Sequence, residues 1–244
     1  MKKTEPQQQD TKRQILDSAK MEFADKGYDG ARMGAIARTA KVNQALLHYY
    51  FGNKENLYKE VLISHGLFGA TLINRLEEVS GAFNLTASEK LYIGIYLLVN
   101  VHLEALDAEL IKILSREMAD QREHFKTLIR DYLIPRHEVL VGAILEGIKA
   151  GEFATKNPLL VVIGINTLIL NYINSRNLLS GSTWYKRLYG EKHKEELLDF
   201  LIEHTFKGLR PEGRRLKIPA PPKELIEALN MVINDARQEQ QMAN

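Results

Sequence analysis

The stretch that decides the fold is RMGAIARTAKVNQALLHYYFGNK, residues 32–54. Its small and apolar positions fit two short helices joined by a tight turn. Ala37 is placed where the two helices must approach closely, and Asn43 is a residue type that favours the N-cap of the second helix. With that cap, Gln44 and Ala45 are predicted to face outward from the first turn of the second helix. The buried seam between the helices is predicted to consist of Ile36, Ala40, Val42 and Leu47.

The segment before this stretch is predicted to form a helix that covers it. Apolar residues recur at helical spacing from Ile15 to Phe23. Thr11 and Gln14 fit a capping box, which predicts a helix over residues 12–26. Three helices of this kind are typical of a helix-turn-helix unit, which places its second short helix in the major groove of DNA.

At these positions the chain resembles the TetR family of bacterial transcriptional repressors. The residues that fall on the family pattern are Ile15, Leu16, Ala19, Phe23, Gly27, Tyr28, Ile36, Ala37, Ala40, Val42, Leu47, Tyr50, Phe51, Lys54 and Leu57. The resemblance implies a homodimeric repressor whose recognition helix, residues 43–50, enters the major groove of a palindromic operator. It also implies a small-molecule effector that weakens DNA binding.

Three positions depart from the family pattern. Arg32 replaces the Thr or Ser that usually caps the first helix of the motif, which makes Arg32 a candidate phosphate contact. Lys41 replaces the glycine of the turn, where a positive φ would cost a side chain about 1–3 kcal/mol. His48 replaces a tyrosine whose hydroxyl touches phosphate. The residues expected to contact DNA are Arg32, Asn43, Gln44, Ala45, His48, Tyr49 and Lys54, with Gln44 reading adenine edges and Lys54 meeting phosphate.

Composition argues against several other kinds of protein. The 244 residues include no cysteine, which excludes disulfides and thiolate metal sites. We find no zinc-binding histidine pair, phosphate-binding glycine loop or nucleophile elbow, and therefore expect no metal, no cofactor and no catalysis. The N-terminal MKKTEPQQQD lacks the apolar run of a signal peptide, and the apolar residues 159–170 are too few for a membrane span. We expect a cytoplasmic protein that does not bind membranes.

Beyond the helix-turn-helix, apolar residues recur at intervals of three and four, which predicts an all-α fold. The further helices are predicted over residues 54–79, 88–106, 108–120, 122–150, 159–176, 191–209 and 223–239, with a loop at residues 180–184. We divide the chain into residues 1–56 for DNA binding, residues 57–210 for effector binding and dimerisation, and residues 211–244, a Pro-rich linker and an amphipathic helix.

The larger helical part is expected to supply both the dimer interface and the effector site. The helices over residues 159–176 and 191–209 are predicted to form the interface, because one small subunit could not easily cover their apolar rows. In the second helix the row is Leu197, Leu198, Leu201, Ile202 and Phe206. Aromatic and polar side chains on or near apolar faces could orient a small apolar effector. These candidates are Phe68, Tyr92, Tyr96, Asn100, Arg116, Asn166 and Asn171, and each could instead be an ordinary core side chain.

Two other functions stay open at this point. One is an all-α enzyme or ligand carrier that keeps a helix-turn-helix-like fragment, and the other is an architectural DNA binder without an effector. Residues 1–60 carry 11 Lys and Arg against 8 Asp and Glu, so the basic excess lies in the part proposed to bind DNA. Binding to a specific DNA sequence would distinguish the regulator from both alternatives.

Overall fold

The computed structural model describes residues 5–66, 70–105 and 108–241. Every regular element in these ranges is helical, which confirms the all-α prediction. The α-helices are α1 (Glu5–Gly30), α2 (Met33–Thr39), α3 (Gln44–Phe51), α4 (Lys54–Val61), α5 (Ala70–Gly81), α6 (Ala87–Ala105), α7 (Ala108–Asp120), α8 (Glu123–Leu128), α9 (Ile134–Lys149), α10 (Pro158–Leu178), α11 (Thr183–Leu188), α12 (His193–Leu209) and α13 (Lys223–Gln241). Short π-helical turns, Leu62–Gly66 and Ile129–Leu133, follow α4 and α8.

The first of two compact units combines the N-terminal helices with α7 and α8. It comprises Met1–Ile73, Ala105–Tyr132 and Asp235–Asn244. In this unit α1 packs against α4 and α7. The ring of Tyr58 meets the rings of Phe23 and Tyr28 with centroids 4.6 and 5.0 Å apart. We had predicted that α7 belongs to the effector-binding part of the chain. The predicted domain boundaries at residues 56 and 210 stay predictions.

The first helix begins earlier than predicted. α1 includes residues 5–10, and the hydroxyl of Thr11 donates a hydrogen bond to the carbonyl of Gln7 at 2.7 Å inside the helix. The predicted capping box of Thr11 and Gln14 is therefore wrong. Three glutamines at residues 7–9 explain the difference, because glutamine favours helix without leaving an apolar period to detect. The regular helix ends as predicted, because Gly27 adopts φ 69°.

Two helices predicted as long are divided in the structure. Residues 54–79 hold α4, a π-helical turn and then α5, and residues 122–150 hold α8, a π-helical turn and α9. The second division occurs next to Pro135, which occupies the first turn of α9, where its missing N–H removes no hydrogen bond. The loop predicted at residues 180–184 contains the start of α11, whose N-cap Ser182 accepts a hydrogen bond from the amide of Tyr185.

The second unit contains α6 and α9 to α12, and most of α13. It comprises Asn74–Glu104 and Leu133–Asn234. Within it, α10 packs against α9 and α12. A Cβ atom on Gly94 of α6 would lie 1.9 Å from Cδ2 of Leu140 on α9, so the close approach of these helices requires glycine at position 94.

α10 has one buried face and one exposed face. Its buried side chains are Val162, Ile165, Asn166, Ile169 and Ile173. The opposite face exposes Leu160 and Ile163, of which 63% and 44% are accessible. By length and composition alone this 21-residue helix could cross a membrane, and only 28% of its most apolar window is buried. The exposed face is thus not covered by the core of the chain.

The apolar row predicted on α12 is covered mostly within its own subunit. Leu197, Leu201, Ile202 and Phe206 are buried, and Leu198 is half-buried. These four buried side chains are therefore not exposed to a partner subunit, while an interface through the helices over residues 159–176 and 191–209 stays a prediction. The exposed face of α12 instead carries Phe200, which stacks on His204 with ring centroids 5.6 Å apart.

Candidate nucleic-acid interface

The two short helices α2 and α3 are held together by a small apolar seam. Ile36, Ala40 and Leu47 are fully buried, and Ala37 is buried where the helices meet. Val42, which the sequence placed in this seam, is only half-buried. The seam fixes the angle of α3, so that its remaining faces can point to solvent.

The turn between α2 and α3 contains a residue in the left-handed backbone conformation, at the position where the resemblance places a glycine. Lys41 adopts φ 51°, where the family usually has glycine. The amides of Lys41 and Val42 donate to the carbonyls of Arg38 and Ala37, at 3.1 and 3.0 Å. These bonds satisfy the end of α2 and compensate in part for a backbone strain of about 1 kcal/mol at a non-glycine residue.

The N-terminus of α3 is capped as predicted. The side-chain oxygen of Asn43 accepts a hydrogen bond from the amide of Ala45 at 2.9 Å. Gln44 and Ala45 are exposed in the first turn. Gln44 extends back over α2, where its Oε1 atom lies 3.3 Å from the position that a Cβ of Gly34 would take. The first turn of α3 thus presents an amide side chain and a methyl group to solvent.

His48 and Tyr49 differ in how free their polar groups are. Nδ1 of His48 lies 2.8 Å from the carbonyl of Gly52, so this nitrogen must carry the proton that it donates. Among the residues that the structure describes, Nε2 of His48 faces no partner that would hold it, and a contact of His48 with phosphate stays a prediction. Tyr49 is 77% exposed, so its hydroxyl is a second candidate for such a contact.

The side chains of Arg32 and Lys54 differ in their contacts: Arg32 is exposed, whereas the ammonium of Lys54 contacts carbonyl groups of the chain. Arg32 makes no side-chain capping bond to α2 and is exposed, as a phosphate contact requires. The ammonium of Lys54 lies 3.3 and 3.4 Å from the carbonyls of Ala31 and Asp29, and 4.6 Å from the ring centroid of Tyr28. Lys54 thus ties the start of α4 to the chain that precedes α2, and its phosphate contact stays a prediction.

Polar side chains of α7 fasten this helix to the DNA-binding helices, which sequence reasoning missed. Arg116, predicted to touch an effector, donates to the carbonyls of Ala24 and Asp25 in the last regular turn of α1, at 2.9 and 3.3 Å. The hydroxyl of Tyr58 donates to the buried carboxylate of Glu117 at 2.7 Å. Burial and this bond raise the pKa of Tyr58 well above its ordinary value, so it remains a donor.

The region with this geometry matches a known family. The family model described as bacterial regulatory proteins, tetR family, matches residues 15–61. The fatty acid metabolism regulator protein of Bacillus subtilis (strain 168) is 31% identical over 145 residues, which cover 57% of this chain and 69% of that protein. The chain belongs to the TetR family.

Solved structures extend the similarity of this TetR-family chain beyond the helix-turn-helix. A mutant of the hemolysin II regulator HlyIIR superposes with a TM-score of 0.60 at 23% identity, covering 84% of this chain and 100% of that one. FadR from Bacillus subtilis in complex with stearoyl-CoA gives 0.58 at 23% identity, covering 81% and 99%. At such identities the superpositions show a shared fold.

Other relatives match over a shorter stretch of the chain. IcaR of Staphylococcus epidermidis, a negative regulator of a biofilm operon, is 37% identical over 49 residues, or 20% of this chain and 26% of that protein. Family membership makes the chain a DNA-binding transcriptional regulator and not an enzyme. Which of its residues contact DNA is a matter of proposal.

The predicted effector contacts of this regulator do not all belong to one unit, and most of those described have hydrogen-bond partners within the chain. Asn100 donates to the carbonyl of Tyr96 at 2.7 Å, and the hydroxyl of Tyr96 bonds to Asn230 of α13. Tyr92 is half-buried, and Asn171 is exposed and accepts a hydrogen bond from Ser175. Arg116 belongs to the first unit, and Phe68 lies outside the described residues.

A buried polar cluster in the second unit surrounds Asn166. Burial lowers the pKa of His102 to about 4, although Nδ1 of its ring lies 2.8 Å from the carbonyl of Leu98. Burial also lowers the pKa of His137, and the amide of Asn166 opposes this shift in part. Nε2 of His137 and Oδ1 of Asn166 nevertheless lack well-aligned partners within the chain. Buried polar atoms of this kind can be satisfied by a ligand.

Proposed function

We propose that this TetR-family regulator is a homodimeric repressor that binds a palindromic operator in the cytoplasm and is released from it by a small molecule. The observation that carries the proposal is the exposed first turn of α3, capped by Asn43 and set on a buried seam. A helix presented in this way can enter the major groove with its N-terminal residues at the base edges.

Each exposed group near α3 suits a particular contact with DNA. The amide of Gln44 can pair with N6 and N7 of adenine, and the methyl group of Ala45 can contact the methyl group of thymine. The hydroxyl of Tyr49 and the guanidinium of Arg32 suit phosphate oxygens. This division predicts that base preference depends on Gln44, whereas Arg32 supports binding to any sequence.

The direct test of the proposed function is selection of bound sequences from random duplex DNA by the full-length chain. We expect two inverted half-sites whose centres lie about 34 Å, one helical turn, or a multiple of it apart. Recovery of DNA without a common sequence would contradict the repressor proposal and favour an architectural DNA binder.

Gln44→Ala is expected to relax the preference for one base pair in each half-site, at a cost of about 1–3 kcal/mol. The reason is that alanine removes the amide group proposed to read adenine. Titration against single-base variants of the selected operator measures the change. Gln9→Ala, on an exposed position of α1, is the matched control and should leave all affinities unchanged. A uniform loss of affinity in Gln44→Ala would contradict base reading by this residue.

The dimer is proposed to form through the exposed face of α10 together with Phe200 of α12. Leu160, Ile163, Thr167 and Asn171 follow one another at helical spacing on the exposed face of α10. A two-fold axis would pair this face with itself, because the same patch of both subunits meets at such an interface. α12 packs on α10 in the same subunit, so Phe200 belongs to the helix pair that would carry the interface.

The effector is proposed to be a small, mostly apolar molecule that binds in the helical part of the chain. Tyr92, Tyr96 and Asn100 lie along α6, and Asn166 with His137 offers buried polar atoms that a ligand could satisfy. Solved structures of similar proteins hold ligands of different chemistry, stearoyl-CoA in FadR and choline, a quaternary ammonium cation, in a regulator from Saccharomonospora viridis. Stearoyl-CoA carries a long apolar chain, as the proposal requires, on a charged head group. Because the fatty acid metabolism regulator protein of Bacillus subtilis is similar to this chain in sequence, stearoyl-CoA is the first compound to test.

An effector of this regulator must weaken DNA binding, and operator DNA must weaken effector binding by the same factor. Coupling of about 1–3 kcal/mol, or 5-fold to 150-fold in affinity, is typical. Calorimetry with stearoyl-CoA, with and without the selected operator, measures both directions. If the compound binds equally well in both conditions, it is not an inducer of this regulator.

A further inference from the structure

We infer that a cavity in the second unit binds a small molecule that carries a diphosphate group. The cavity has a volume of about 710 Å³ and lies between the start of α6, the chain after α9 and the chain after α12. The chain after α12 contributes Arg210, Pro211, residues 214–217, Pro219 and Ala220 to its wall, and we call residues 210–217 the basic segment. The inference goes beyond the proposed function, because this site shares no residue with the DNA-binding helices or with the polar cluster at Asn166. Stearoyl-CoA, proposed above as the first effector to test, also carries a diphosphate, so the test below uses ligands without an acyl chain.

The basic segment brings four cationic side chains to the cavity. Arg210, Arg214, Arg215 and Lys217 all line it. Within the described ranges, no carboxylate forms an ion pair with Arg210, Arg215 or Lys217. Three cations on one short segment therefore keep their hydrogen-bond donors available. Arginine and lysine donors of this kind are the groups that bind phosphate oxygens in proteins.

The basic segment is held in place by contacts within the second unit. Nη1 of Arg214 donates to the carbonyl of Gly151 at 2.5 Å, and the amide of Ala154 donates to the carbonyl of Leu209 at 2.7 Å. Gly151 adopts φ 70°, and a Cβ there would lie 3.5 Å from the Arg214 guanidinium. These contacts, one just before the segment and one at its middle, hold the chain from Leu209 to Arg214 in place before any ligand arrives, which reduces the entropy cost of binding.

The rest of the cavity lining suits the uncharged part of such a molecule. Phe153 and Phe206 contribute an apolar surface, with ring centroids 5.8 Å apart in an edge-to-face arrangement. Glu152 accepts from the amide and the hydroxyl of Ser88, while Glu89 accepts from Thr86. The carboxylates are therefore satisfied within the protein, and their remaining lone pairs can accept from ligand hydroxyl or amino groups.

The charge and the size of the cavity select a diphosphate-bearing small molecule. Four cations and two carboxylates leave a net charge of about +2 at the lining, which one diphosphate can neutralise. A volume of about 710 Å³ lies within the range of small-molecule pockets, about 300–1,000 Å³. A duplex requires cations spread along a surface, and not around a cavity of this size. The apolar part of the lining further favours a phosphate ester over the free ion.

The test is calorimetric titration of the full-length chain with pyrophosphate and with ADP. We expect both to bind, and ADP to bind more tightly, because its ribose and ring reach Phe153, Phe206 and the carboxylates. Arg215→Ala/Lys217→Ala should weaken both ligands by about tenfold or more, since it removes charge-assisted hydrogen bonds. The matched control is Lys186→Ala/Arg187→Ala on exposed positions of α11, which removes the same two charges and should change neither affinity.

Three results would overturn the inference. The first is that neither pyrophosphate nor ADP binds to the wild-type chain at millimolar concentration. The second is that both pairs of substitutions weaken binding equally, which would indicate attraction by net charge alone. The third is that Arg215→Ala/Lys217→Ala lowers affinity for random duplex DNA and leaves ligand binding unchanged. If that variant does not fold by circular dichroism, Lys217→Gln is titrated in its place and the same criteria apply.

Discussion

Ile163→Glu is expected to dissociate the dimer and to weaken operator binding by about 100-fold or more. Ile163 is exposed in the middle of the apolar face of α10, away from the core of its own subunit. At a two-fold interface the substitution places two like charges close together and leaves both without a partner. A dimer that has bound one half-site binds the second half-site at a high effective concentration, which raises its affinity for the operator. A monomer binds one half-site only and lacks this increase in affinity.

Sedimentation of the variant should give the mass of one chain, 27.8 kDa, at concentrations where the wild type is a dimer. Circular dichroism should show unchanged helix content, because Ile163 contributes little to the core of the subunit. Met231→Glu is the control, since Met231 is also an exposed apolar residue, at 66% against 44% for Ile163, and lies on α13. A variant that remains a dimer and binds operator normally would place the interface elsewhere.

Leu201→Glu is expected to destabilise the folded subunit instead of separating two subunits. Leu201 is 2% exposed and lies on the face of α12 that is covered within its own chain. Removing a buried leucine and burying a carboxylate should cost about 4 kcal/mol or more. For a chain of this length the melting temperature should fall by about 10 °C.

Thermal unfolding followed by circular dichroism measures this loss. The control is Phe200→Glu, one position earlier, because Phe200 is 53% exposed and lies on the opposite face of α12. At 25 °C that variant should keep its helical spectrum, even where it weakens the dimer. If Leu201→Glu instead gives a folded monomer with an unchanged melting temperature, Leu201 faces a partner after all.

The helix-turn-helix was predictable because local rules decide it. Asn43 caps α3 through an amide two residues away, and Lys41 takes the left-handed conformation that the family's glycine indicates. Spacing along the chain contains this information. The same rules account for the Asn53 cap of α4, in which the side-chain oxygen of Asn53 accepts a hydrogen bond from the amide of Asn56 at 2.8 Å.

The dimer face and the effector contacts were less accessible to sequence reasoning. A helical period shows which face of α12 is apolar, but it does not show whether the same chain or a second copy covers that face. Leu201 was therefore assigned to the partner when its own chain covers it. Arg116 was assigned to a ligand because its partners leave no signal in the local sequence. The side chain in fact donates to backbone carbonyls of α1, more than 90 residues away.

The unit that contains the helix-turn-helix is discontinuous in sequence. This limits which segments of the regulator can be exchanged with those of a relative. α7 follows α6 in sequence, yet α6 belongs to the second unit and α7 to the first. In the first unit, Arg116 of α7 donates to the end of α1, and Glu117 accepts a hydrogen bond from Tyr58. A fragment cut after residue 73 would lack both groups and would leave Tyr58 without its acceptor. A chimaera that grafts only the first helices onto another regulatory body would meet the same defect. Exchange of DNA specificity between relatives should therefore succeed by replacing the exposed residues of α3, and fail by transplanting the N-terminal segment as a module.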